Sequence, residues 1–107
     1  MGISGVDTSP KCDAAQKNTK AEKVAVIADK ALQKLSEGVS AHEAANYIRG
    51  QSVGCFSVEA QSERRDDILA SMKKSICVKD KKSRGVTLDT LKKVADNLGK
   101  TIDGKCK

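Results

Sequence analysis

The chain has 107 residues with no tryptophan, one tyrosine and one phenylalanine, and its 20 Lys and Arg against 14 Asp and Glu leave a net charge of +6. That length sets a single domain with limited burial, and the positive surplus favours acidic partners without naming one. No apolar run approaches the ~18–20 residues of a membrane-spanning helix, and no phosphate loop, dinucleotide fingerprint or calcium loop is present.

Residues 1–18 read as a polar, irregular lead in which glycine, serine, aspartate and the single proline, Pro10, are concentrated; Cys12 is its anchor. The start, Met1-Gly2-Ile3-Ser4-Gly5, lacks a charged region followed by an apolar stretch, so a secreted origin requires that a signal peptide has already been removed. Residues 19–107 read as a single helical domain. The first predicted helix covers about 19–36, with Val24, Ile27, Ala31 and Leu35 on one stripe and Ala28 and Leu32 widening it. Gly38 is its stop. A second helix starts at Ser40, where Ser40 and Glu43 form a capping box; it carries Ala44, Ala45, Tyr47 and Ile48 and is expected to end at Gly50. A third runs from a Ser57 cap to about Ser75, with Ile68, Leu69, Met72 and Ile76 as its apolar stripe. The acids Glu59 and Glu63 near its start and Lys73 and Lys74 near its end suit the helix dipole. Lys79 to Gly85 reads as a charged loop, and a fourth helix spans about Thr87 to Leu98 with Leu88, Leu91, Val94, Ala95 and Leu98 aligned. The expected fold is all-α: a compact four-helix domain stapled by two disulfides.

The staples are Cys12, Cys55, Cys77 and Cys106. No two lie at the short spacing of a zinc site or a Cys-x-x-Cys redox pair, and the only histidine, His42, is remote from all four. With so few large apolar side chains, a disulfide worth ~3–4 kcal/mol matters to stability, and disulfides imply an oxidising compartment. If the third helix forms, Cys55 and Cys77 bracket it at about 27 Å, too far for a bond that requires Cα atoms within roughly 7 Å. Cys12–Cys55 with Cys77–Cys106 is favoured, because a short tail can run back about 23 Å along the fourth helix. Cys12–Cys77 with Cys55–Cys106 stays open.

The catalytic inventory is thin. His42 lies in the first turn of a short helix with no nucleophile or orienting acid assigned to it. Arg64-Arg65 and Asp66-Asp67 read as solvated charges with partners one helical turn away. No catalytic residue, metal site or cofactor is expected, and the chain reads as a non-enzyme. The densest charge feature is Lys73, Lys74, Lys79, Lys81, Lys82 and Arg84, interrupted by Asp80. These six are the candidate partner-binding residues, suited to an acidic protein or a polyanionic surface. No aromatic side chain is interleaved for base stacking, which disfavours nucleic acid.

Two resemblances bear on function. Val86-Thr87-Leu88-Asp89-Thr90-Leu91 through Leu98-Gly99 resembles the closing helix of a repressor-type helix-turn-helix domain, although the family's recognition unit has no equivalent upstream. Tyr47-Ile48-Arg49-Gly50, then Cys77 followed by Gly85-Val86-Thr87-Leu88 and Leu91, is similar in outline to periplasmic helical immunity proteins that neutralise peptidoglycan amidases delivered by type VI secretion. Those carry a Tyr-x-x-Gly helix and a Cys-x-Pro-x-Gly-Val-Thr segment before an amphipathic helix; this chain lacks the proline and inserts a longer basic loop. That resemblance implies a compact periplasmic inhibitor. The functional expectation is a secreted or periplasmic binding protein that occludes a macromolecular partner. The alternatives are a carrier with an apolar pocket lined by Ile27, Leu69, Met72 and Leu91, and an intracellular nucleic-acid binder using the fourth helix.

Overall fold

The computed structural model describes residues 11–106. Among them no strand forms, and four helices follow one another: α1 (Lys20–Ser36), α2 (Ala41–Cys55), α3 (Gln61–Cys77) and α4 (Leu88–Asn97), with single 3₁₀ turns at Val58–Ala60 and Lys81–Ser83. The expected irregular lead is described over residues 11–18; its first ten residues, including Pro10, lie outside the described residues.

Three of the four helices, α1, α2 and α4, begin where a short polar side chain satisfies a free backbone N–H. Thr19 Oγ1 accepts from the Glu22 amide at 3.1 Å while Glu22 accepts from the Thr19 amide at 3.3 Å, closing a capping box on α1. Those Thr19 hydrogen bonds hold the Glu22 carboxyl below its ordinary range. Ser40 Oγ accepts from the Glu43 amide at 3.1 Å and Thr87 Oγ1 from the Thr90 amide at 3.3 Å, capping α2 and α4. The capping box expected of Ser40 and Glu43 is half made: the Glu43 carboxylate meets the Ser40 hydroxyl at 3.4 Å instead of the Ser40 amide. The ends of α1 and α4 share a second device, in which the residue after the cap turns left-handed and two amides bond back to the last carbonyls. Gly38 serves α1, with Val39 N donating to Lys34 O at 3.0 Å, and Gly99 serves α4, with Lys100 N donating to Ala95 O at 2.8 Å.

The apolar stripes meet in one core. Ile27, Leu32, Ile48, Ile68, Leu69, Met72, Leu91 and Val94 are fully buried. Each is worth about 1.5–3 kcal/mol in area removed from water. Helix α1 packs on α3 and α2, and α2 packs on α4. Ala28, Ala31, Ala44, Ala45 and Ala95 are buried in the same core, and such small side chains help a chain poor in aromatic residues close its interior.

Three further expectations need correction. Helix α2 does not stop at Gly50 but continues through Gly54 to Cys55. An interior glycine costs about 0.5–1 kcal/mol relative to alanine, so tertiary contacts must offset the extension. They come from a stripe at four-residue spacing, Tyr47, Gln51 and Cys55, which shares one face of the helix. Tyr47 Oη donates to Asp13 Oδ2 at 2.6 Å. The buried Gln51 accepts from the Asp13 amide at 2.7 Å and donates to Lys11 O at 2.6 Å. Cys55 is bonded to Cys12, and the neighbouring Ala14 is only 1% exposed. Burial, with the Asp13 carboxylate beside it, pushes the Tyr47 hydroxyl far above the usual phenol range.

The second correction concerns Arg64, expected to be solvated. It is 4% exposed on the inward side of α3, with Nη2 3.0 Å from Glu63 and Nη1 3.3 Å from Asp67. The third helical segment also starts differently: Ser57 makes no side-chain cap bond, and a 3₁₀ turn precedes α3.

The disulfides are Cys12–Cys55 and Cys77–Cys106, with Cα separations of 4.9 and 5.3 Å. The crossed alternative is thereby excluded. The length of α3 keeps Cys55 and Cys77 at opposite ends, and the tail after Gly99 returns along the domain with Ile102 against the core.

Candidate functional site

The six basic residues converge on the corner where α3 ends and the turn to α4 begins. Lys79 is the left-handed residue that closes α3, with φ 55°, and Asp80 N donates to Ser75 O at 3.0 Å. It occupies the position that glycine fills at the ends of α1 and α4. A side chain there costs roughly 1–2 kcal/mol. Arg84, at φ 50°, is left-handed too, directly before Gly85 at φ 80°.

Between them the turn is pinned from within. Asp80 Oδ1 accepts from the Lys82 amide at 2.8 Å, and Ser83 Oγ donates to Asp80 O at 2.7 Å. Arg84 anchors it to α1: Nη1 lies 2.8 Å from Asp29 Oδ1 and also donates to Lys82 O at 3.1 Å. Its charge is thus matched by Asp29, and its role in the corner is to fix the turn.

Five cations remain without an ion pair among the described residues: Lys73, Lys74, Lys79, Lys81 and Lys82. They do not form a uniform patch. Lys74 and Lys82 share a recess of about 210 Å³ with Val78, which is 62% exposed. Lys79 and Lys81 stand exposed on the adjoining turn. Lys73 lies on another side of Lys74, in a second recess with Lys105 and the Cys77–Cys106 bridge. Lys74 lines both recesses and joins them. Asp29 and Asp80 line the recess around Val78 too, Asp29 paired with Arg84 and Asp80 with the Lys82 amide. An exposed apolar residue beside unpaired lysines is the arrangement of a docking surface, in which the apolar part supplies burial and the charges steer approach.

Lys105 was missed by sequence reading because it is distant from the basic cluster in the chain. The signal for it was the favoured Cys77–Cys106 pairing, which brings any neighbour of Cys106 to the end of α3. The apolar residues suggested for a carrier pocket, Ile27, Leu69, Met72 and Leu91, are all core, at 1% exposure or less. His42 is an exposed surface residue between Asn97 Oδ1 and Asn46 Nδ2, each at 3.3 Å. Among the described residues no group of three or more metal-ligating side chains comes together, and no helix is long and apolar enough to cross a membrane.

Compared with protein-family models, curated proteins and solved structures, the chain has no match.

Proposed function

We propose that this is an extracytoplasmic, non-enzymatic binding protein that occludes an acidic macromolecular partner with the corner formed by the end of α3 and the following turn. One observation carries the reading: exposed Val78 shares a recess with Lys74 and Lys82, which have no ion pair among the described residues, beside a turn held by Asp80, Ser83 and the Arg84–Asp29 pair. A surface already fixed before contact loses little conformational freedom on binding, which favours affinity. Strain at Lys79 supports the same reading, since a lysine stands where glycine would be unstrained. The two disulfides are compatible with an oxidising compartment.

The test is capture by immobilised protein from the extracytoplasmic fraction of its source, with the triple variant Lys79→Glu/Lys81→Glu/Lys82→Glu alongside. An acidic protein retained by the wild type, inhibited in the complex and bound at least tenfold more weakly by the variant supports the reading. Equal capture by both forms refutes the placement of the surface.

A further inference from the structure

A further groove, which shares Lys74 with the basic corner, opens between α1 and α3. It has a volume of about 400 Å³ and is lined by Lys20, Ala21 and Val24 from one helix and by Arg64, Ala70 and Lys74 from the other. That size falls within the roughly 300–1,000 Å³ of small-molecule sites. The groove exists because Ala21, Val24 and Ala70 are too short to fill the space between the helices, and they give it an apolar floor.

Its charge is one-sided. Lys20 and Lys74 have no ion pair among the described residues. The one carboxylate on the lining, Asp67, is already matched by Arg64 Nη1 at 3.3 Å. Arg64 adds an independent observation. Its side chain is 5% exposed and both terminal nitrogens are paired, yet its buried Nε–H has no hydrogen-bond partner among the described residues. Buried donors in folded proteins nearly always have an acceptor.

We propose that this groove binds an aliphatic monocarboxylate. The chain lies on Ala21, Val24 and Ala70, and the carboxylate sits at the cationic rim. There, after a small shift of the guanidinium, it supplies the acceptor that Arg64 Nε lacks. Both halves of the ligand are required: the apolar floor provides no anchor for a short anion, and the lysines oppose a cationic amphiphile. The inference stands whether or not the basic corner docks a macromolecule.

The experiment is an NMR titration of the full chain with hexanoate, octanoate and decanoate, each below its micelle-forming concentration. The Arg64 Nε–H resonance and the Ala21 and Ala70 amides are the readouts. Saturable shifts at all three are expected, with affinity rising about two- to fourfold per added methylene. Lys20→Glu/Lys74→Glu weakens decanoate about tenfold, and Ala70→Trp, at an exposed position, abolishes its binding by filling the groove. Should Ala70→Trp fail to fold, the charge variant and the ligand series decide. Absence of saturable shifts at these residues overturns the proposal. So does equal binding of decyltrimethylammonium or decanol, or undiminished decanoate binding in a folded Ala70→Trp protein.

Discussion

The two disulfides join the same atoms in very different surroundings. Cys12–Cys55 sits inside a clasp, with Gln51 bonding to the backbone of Lys11 and Asp13, Tyr47 bonding to Asp13, and Ala14 buried alongside. Cys77–Cys106 ends in an exposed cysteine, and the tail leading to it is held by half-buried Ile102 and by Lys100 against Ser62 and Asp66. Sequence separations of 43 and 29 residues give loop-closure contributions that differ by only about 0.3 kcal/mol. Loop length therefore does not distinguish the two bonds. What distinguishes them is whether other contacts hold the chain in place once the bond is cut.

The largest expected effects come from cutting each bond in turn. Cys12→Ala/Cys55→Ala and Cys77→Ala/Cys106→Ala should each lower stability by about 3–4 kcal/mol in denaturant unfolding. Hydrogen exchange then separates them. In the first variant the Asp13 amide stays protected by Gln51, whereas in the second residues 103–106 exchange freely; loss of protection at Asp13 would break the comparison. The exposed bridge should also be reduced first, by at least tenfold in rate, when dithiothreitol treatment is followed by alkylation.

Next in size is Gln51→Ala. It leaves the Lys11 carbonyl and the Asp13 amide without partners and should cost about 1–3 kcal/mol, together with faster exchange at Asp13. A neutral result would mean that the disulfide alone holds the clasp. Tyr47→Phe is smaller, about 1 kcal/mol near neutral pH, and it has a pH signature. The folded state raises the Tyr47 pKa, so the unfolded chain loses that proton first. The associated stability is whole below about pH 10, the ordinary phenol value, and is lost as pH rises further. Wild type should lose stability more steeply than Tyr47→Phe above that point in parallel melts. Lys105→Ala, exposed beside Cys106, should change stability by less than about 0.5 kcal/mol, showing that the bond, half-buried Ile102 and the Lys100 contacts secure that end.

The parts of this molecule readable from sequence are those set by neighbours in the chain. The stripe Val24, Ile27, Ala28, Ala31 and Leu32 is buried as its spacing predicts, as are Leu91, Val94 and Ala95, while Leu35, Leu88 and Leu98 from the same stripes are half-buried against the core; Gly38 and Gly99 close their helices. The disulfide pairing was readable in part: the length of α3 ruled out Cys55–Cys77 and the reach of the tail favoured the observed pairs, but the crossed alternative fell only with the structure. The extension of α2 was not. Gly50 and Gly54 are local stop signals, and what overrides them is a contact with residues some forty positions earlier. Arg64 looked like any charged helical residue until α3 turned it inward. The basic cluster was plain in the sequence, but the Arg84–Asp29 pair that fixes its turn spans 55 positions.

The order of the cysteines has a consequence for how the chain matures. The bonded pairs are consecutive, Cys12 with Cys55 and then Cys77 with Cys106, so the two covalent loops neither nest nor interlock. A chain delivered N-terminus first into an oxidising compartment presents Cys12 and Cys55 before either later cysteine exists there. The earliest bond it can form is a native one, and the second pair then has no other partner within its own chain. Such a protein can be oxidised correctly in one pass, with little need for an isomerase to undo mistakes.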